Sequence, residues 1–523
     1  MQKNSRTRNS ILNISTSIGG QLLTTILKFV VRTVFIYTLG KQYLGINGLF
    51  ADILTMLSLT ELGFDTAINF KLYLPLATGD DKRVRVLMKF YKQAYRIIGV
   101  VIFALGLCII PLLPVLIKDY DSLQYLGINA VFIFILHLLR STTSYLFFAY
   151  RSAVMKADQK KYILDLADYV VTIATNVTQI LILVFLKDFV LYTAALVIFI
   201  ILQNLVNALI SQHYYPQYFT KEEDKISKHE VKEMLKDCGA LFVYKLNNVV
   251  VKATDNTVIS AFLGLVAVGL YSNYLLFYTT IRSIFDKVYT AVKASMGNLF
   301  ATETVEKKYK IFQVMNYLSV VLFGTAGIGV AVCADELLTV WVGSDYVIAK
   351  PFAILVGIEI LFHGLKINLG QIRNVSGAFR QMWFRPVLGV IINLVASIAL
   401  VNIIGIHGVI LGTIIADVLT NFLVDPSVIH KYSFENYKPV SEYYRKNAVY
   451  LAVLVGVCLL DMLICNNIFT GHGWYSVIFH ILVVIITVPG IFILLFRKTH
   501  ENQYLLGIVK RVMKRKKRKA KKS

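Results

Sequence analysis

Residues 11–39 read ILNISTSIGGQLLTTILKFVVRTVFIYTL, an apolar stretch with Lys28 and Arg32 in its interior. A bilayer crossing needs roughly 20 mostly apolar residues, whereas the apolar region of a cleavable leader runs to only about 15. The stretch therefore reads as a retained first membrane span. Runs of the same kind recur outward from it, at 45–70, 95–117, 122–150, 162–186, 189–213, 237–262 and 266–292. Six more follow, at 311–333, 349–372, 386–404, 407–430, 447–466 and 473–496. About fourteen spans of that length use about 280 residues, which leaves short loops and no separate soluble domain in a chain of 523 residues. Composition agrees. The chain is 56% hydrophobic and 16% charged, with a mean hydropathy of +0.63, while soluble domains carry about 25% charged residues. The expected fold class is an all-α integral membrane protein.

Charge in the loops tests that count, because cytoplasmic loops are enriched in Lys and Arg. With the first residues inside, the inner segments hold clusters such as Lys82, Arg83, Arg85 and Lys89, then Lys156, Lys160 and Lys161, and later Arg373, Arg380 and Arg385. The outer loops hold only Lys41, Lys118, Lys187 and Lys350. One span too many or too few would break this alternation, so both ends are expected in the cytoplasm. The net charge of +23 is then mostly topological and does not point to nucleic acid. The stretch from Lys510 to Lys522 is dense enough in cations to lie on anionic headgroups, at about 1 kcal/mol for each cation near the surface; a solvated topological anchor is the equal alternative.

No catalytic set, metal-spaced cluster or glycine-rich phosphate loop stands out, so neither an enzyme nor a cofactor site is expected. The outer loops are too short for the domain a membrane polymerase or glycosyltransferase would need. The cysteines Cys108, Cys238, Cys333, Cys458 and Cys465 lie in or beside apolar segments and read as small packing residues.

An internal repeat organises the spans. LGKQYLG at 39–45 lies opposite LGLVAVG at 263–269, and the offset that carries Gly40 onto Gly264 also carries Lys28 onto Lys252 and Thr33 onto Thr257. Both halves would start inside and have six spans, so the repeats are parallel. The expected division is a first lobe at 1–213, an inter-lobe linker at 214–236, a second lobe at 237–430, two further spans within 431–496 and a basic tail at 497–523.

Cations inside spans are the sharpest functional signal. Lys28, Arg32, Arg96, Arg140, Lys245, Lys252, Arg282, Lys287 and Lys366 all fall in or at the edges of spans, and each costs about 2.5–3.5 kcal/mol at a helix centre. Several must line a wet cavity or meet acids. Lys252 has Asp255 three residues on and Arg282 has Asp286 four on, so local ion pairs compete for these two. Glu359, His363 and Lys366 share one helix stripe and can neutralise one another. Lys28, Arg32 and Arg140 lack a local acid and are the leading candidates for an anionic ligand, against pairing with Asp52, Glu61 or Asp65 across helices. Tyr271, Tyr274 and Tyr278 recur on one face of their span, where they could stack on sugar rings or simply pack. Glu61, Asp65 and Asp417 could carry protons or cations for coupling.

With NSILNISTSIGGQLLTTILKFVVRTVFIYTLGKQYLGINGLF, ELGFDTAI and the second-half stretch from Asn374 to Leu419 in view, the chain resembles the Wzx-type polysaccharide repeat-unit flippases, within the multidrug/oligosaccharidyl-lipid/polysaccharide exporter superfamily. That resemblance implies a V-shaped fold of two pseudo-symmetric six-helix lobes with two C-terminal helices added, working by alternating access. It implies an undecaprenyl-diphosphate-linked oligosaccharide as substrate, membrane lipids around it, and a polymerase and other assembly proteins as partners. The family places cations from spans 1, 7 and 8 in its cavity, which by position are Lys28, Arg32, Lys252 and Arg282. The drug-exporting branch relies on an acid in span 1, and none occurs here. A multidrug or small-molecule antiporter of the same fold, and a non-transporting scaffold of the assembly machinery, are the rival readings.

Overall fold

A computed structural model describes residues 2–58, 64–118, 120–125, 127–220, 226–227, 229–232, 234, 253–376, 384–468 and 473–520. Among these the chain is helical throughout its regular structure and holds no strand. It divides into two compact units, 1–269 and 270–523.

The first unit begins with α1 (Gln2–Leu39), which breaks at Gly40 (φ 86°) into α2 (Lys41–Leu57). There follow α3 (Phe64–Thr78), α4 (Asp81–Ile109) and α5 (Ala130–Leu146), then α6 (Lys161–Leu181), α7 (Phe189–Tyr214) and α8 (253–263). Side-chain caps set several starts. Asp80 accepts from Arg83 N at 2.9 Å, Asn129 from Phe132 N at 3.0 Å and Asp188 from Leu191 N at 2.9 Å, so each satisfies a backbone donor that the first turn leaves open. Tyr91, Tyr95, Tyr145, Tyr215 and Met155 belong to one buried cluster that ties α4, α5 and the end of α7 together.

The second unit takes over along α9 (Leu265–Thr302) and continues with α10 (Val305–Val342), α11 (Phe352–Ser376), α12 (Arg385–Ile404) and α13 (Ile406–Asp417), the last running on in helical turns to Ser433. It ends with α14 (Val440–Ile468), α15 (Trp474–Leu495) and α16 (His500–Ala520). Gly327 and Gly357 bring α10 and α11 into backbone contact, since a Cβ on either would overlap the other's carbonyl.

Nine of the described helices are long and apolar enough to cross a membrane, and a tenth counts if Ala130–Leu146 and Ala149–Ala157, bent by 44°, form one crossing. These ten correspond to the expected spans from 95–117 to 189–213 and from 311–333 onward. Of the four others, 45–70 and 237–262 fall partly or largely on undescribed residues, while α1 and α9 are continuous helices over 11–39 and 266–292. The protein is an all-α integral membrane protein.

The repeat is visible in backbone detail. Gly40 and Gly264 take φ of 86° and 87°, a left-handed conformation that costs glycine little. Thr33 donates its hydroxyl to Phe29 O at 2.7 Å, and Thr257 does the same to Ala253 O at 3.1 Å. The two compact units part after Gly269. Residues 253–268 pack on the first unit, with Asn256 donating to Asp52 at 2.5 Å and Lys118 to Phe262 O at 3.1 Å. The described start of 214–236 is pinned there too, by Tyr218 on Asp81 at 2.9 Å, Tyr215 on Asp158, and an Arg83–Glu230 ion pair.

Candidate functional site

Three apolar helices of the first unit carry polar stripes, and the stripes meet. On α5, His137, Arg140, Ser141 and Ser144 recur at three- and four-residue steps; α6 contributes Asp165 and Asp168, and α7 contributes Asn204 and Asn207. All of them line a single cavity of about 500 Å³, closed on other sides by α2 and by Tyr95 and Tyr145. Such periodicity puts each set on one helix face. Within the cavity Asn207 donates to Asp168 at 2.8 Å, Asn204 to Ser144 at 3.3 Å, and Ser58 meets Ser141 at 3.2 Å. Lys161 pairs with Asp165 at 2.6 Å.

Arg140 makes no ion pair among the described residues, although Asp165 and Asp168 line the same cavity. It and Arg32 of α1 both lie within electrostatic reach of the buried Tyr192 hydroxyl, and Arg140 also acts on His137, which is 1% exposed. The Nε2 of His137 and Oδ1 of Asn207 are buried without a hydrogen-bond partner among the described residues. Burying such groups unsatisfied is costly, and a cavity this polar and roomy suits water or an oxygen-rich ligand. A guanidinium with its fork unclaimed matches a phosphate in shape and charge. Hydroxyls, amides and carboxylates around it can exchange hydrogen bonds with sugar hydroxyls. Lys28 is exposed on the same face of α1 as Arg32, one turn earlier, and likewise makes no ion pair among the described residues.

Four cations of the second unit, Arg282, Lys366, Arg373 and Arg385, are instead paired with acids. Arg282 Nε lies 3.2 Å from Asp286, the local pair its spacing allowed. Asp286 also meets His363 at 3.1 Å, and Lys366 meets Asp417 at 2.9 Å. Within the stripe Glu359, His363, Lys366, the last two also reach acids on facing helices, Asp286 of α9 and Asp417 of α13. Asp417 is tied to Lys366 and to the Asn421 amide at 2.7 Å. Arg373 and Arg385, read from sequence as loop cations, are each 5% exposed and share the fully buried Asp425, at 2.7 and 3.3 Å.

Tyr271, Tyr274 and Tyr278 are 4%, 0% and 4% exposed. Tyr271 and Tyr274 pack edge-on against Phe352 and Tyr278 against His363, while the Tyr274 hydroxyl donates to Asp335 at 2.6 Å. All three rings are thus buried against neighbouring side chains of the second unit. Lys252 and Glu61, and the side chain of Asp65, lie outside the described residues. The sequence reading missed Asp165, Asp168, Asn204, Asn207 and His137. Their signal is present as polar stripes at helical spacing in otherwise apolar spans.

A family model described as polysaccharide biosynthesis protein matches residues 10–293, more than half of the chain. No curated protein matches the chain in sequence. Among solved structures, the lipid II flippase MurJ in an inward closed conformation is similar at a TM-score of 0.64 and 14% identity, covering 92% of this chain and 99% of that one. An outward-facing multidrug resistance MATE family transporter of the MOP superfamily is similar at a TM-score of 0.55 and 12% identity, over 82% of this chain and 96% of that one. A Vibrio cholerae MATE transporter gives 0.54 and 14%, over 82% and 98%. At such identities the likeness is one of fold.

Proposed function

Because the chain belongs to the polysaccharide biosynthesis protein family and has the fold of the transporters and flippases just described, we propose that it flips undecaprenyl-diphosphate-linked oligosaccharide repeat units from the cytoplasmic to the outer leaflet by alternating access. One observation carries the reading: Arg140 lines a polar cavity of about 500 Å³ and makes no ion pair among the described residues, while Arg282 and Lys366 of the second unit are paired with Asp286 and Asp417. An uncompensated guanidinium in a span costs a few kcal/mol, a cost an anionic cargo offsets. The diphosphate is assigned to Arg140, with Arg32 and Lys28 of α1 adding positive charge, and the first sugars to the hydroxyl and amide groups of α5 and α7.

The test is the leaflet location of the lipid-linked intermediate in a deletion strain complemented with variants. Arg140→Ala and the Lys28→Ala/Arg32→Ala double variant are expected to insert and fold yet leave the intermediate on the cytoplasmic side. Wild-type export by both would refute the cationic site.

A further inference from the structure

Only Phe496–Thr499 separate the last span, α15, from α16. The first turn of α16 is held down. Glu501, 3% exposed, accepts from Lys446 Nζ at 2.8 Å, and Asn502 donates to Ile493 O at 3.0 Å. Leu505 packs on the cluster that contains Tyr450 and Phe492. These contacts fix the start of α16 at the end of a span. Immediately beyond, Tyr504 and Ile508, one turn apart on the same face, remain 37% and 40% exposed. From Lys510 to Ser523 ten of the fourteen residues are Lys or Arg and none is acidic, and helix persists to Ala520.

A helix that leaves a span at once, with apolar side chains uncovered and a dense positive run, has the chemistry of an interfacial element. We propose that α16 is a binding surface for anionic phospholipid, with Tyr504 and Ile508 at the boundary of headgroups and acyl chains and the cations from Lys510 onward on lipid phosphates. The docked first turn ties this run to the end of a span, and attraction to headgroups adds up over the cations that come within a Debye length of the surface. An acidic soluble protein would satisfy the charge but would leave the exposed apolar pair beside the span unexplained, so lipid is the better match. No residue of α16 lines the first unit's cavity, and this surface stands or falls independently of the transported cargo.

The full-length protein is reconstituted in phosphatidylcholine vesicles with a spin-labelled lipid bearing either a phosphatidylglycerol or a phosphatidylcholine headgroup, and the motionally restricted fraction is measured. The wild type is expected to hold phosphatidylglycerol preferentially, with the preference falling in high salt. In the variant combining Lys514→Gln, Arg515→Gln, Lys516→Gln, Lys517→Gln, Arg518→Gln and Lys519→Gln, the apparent affinity for phosphatidylglycerol should fall by about tenfold or more, with the melting temperature unchanged. Equal selectivity in both proteins overturns the proposal. So does a wild type without selectivity, and if that protein captured soluble polyglutamate through the same lysines, an acidic protein surface would be the partner instead.

Discussion

Gly45 lies so close to Leu265 that a Cβ on it would overlap the Leu265 carbonyl oxygen. Gly269 stands in the same relation to the carbonyl of Lys41. The repeat offset that takes Gly40 to Gly264 takes Lys41 to Leu265 and Gly45 to Gly269, so the two contacts are one contact made twice, as a local two-fold requires. Glycine is needed at both positions because backbone meets backbone there. Gly45→Ala should lower stability by about 1–3 kcal/mol and cut export, whereas Gly48→Ala should be tolerated, since its Cβ would meet Val268 at 3.7 Å and Asn256 at 3.8 Å, ordinary contacts. Thermal unfolding of the two purified variants decides this.

Arg140 and Asp425 should separate function from stability. Arg140 makes no ion pair among the described residues, so Arg140→Gln removes a charge without orphaning an acid. Its melting temperature should hold or rise while lipid-linked intermediate accumulates. A fall in stability as large as the loss of export would show Arg140 to be structural.

Asp425 is 0% exposed and compensates both Arg373 and Arg385. Asp425→Ala leaves two guanidinium groups buried without their acid, a change that costs about 3–5 kcal/mol. Poor yield and a lowered melting temperature are expected, and Asp425→Ala combined with Arg373→Met and Arg385→Met should recover part of the loss.

The docking of α16 should depend on pH. Burial pushes the Glu501 carboxyl upward, but the hydrogen bond and charge of Lys446 and a backbone hydrogen bond outweigh it and hold the group below its ordinary 4.5. A carboxyl depressed by folding contributes stability above its unfolded value and loses it as pH falls through the folded one. Amide exchange at Leu505 and Leu506 should therefore stay slow at neutral pH and accelerate below about 4.5, the ordinary glutamate value. Glu501→Gln should show the faster exchange already at pH 7.

Tyr274 and Tyr271 test the packing role of the aromatic stripe. Tyr274→Phe removes the hydrogen bonds to Asp335 at 2.6 Å and from Ile348 N at 3.2 Å and should cost about 1–3 kcal/mol, while Tyr271→Phe keeps its ring on Phe352 and should export normally. Export that failed selectively in Tyr271→Phe, with stability intact, would return these rings to the substrate.

Much was legible in order along the chain. Apolar runs of span length announced an all-α membrane protein, because the bilayer leaves a backbone few other ways to satisfy its donors and acceptors. The glycine motifs around Gly40 and Gly264 exposed the repeat, since positive φ and backbone contact both select glycine. The i,i+4 pair of Arg282 and Asp286 could be read off directly, as both ends lie on one helix. The second unit's other pairings could not. Lys366 meets Asp417, His363 meets Asp286 and Arg385 meets Asp425 across helices, and linear spacing carries no information about which faces of two spans come together. The same holds for the cavity around Arg140. Its stripes on α5, α6 and α7 were written in the sequence one helix at a time, but only packing brought them to a common space and left that guanidinium without an acid.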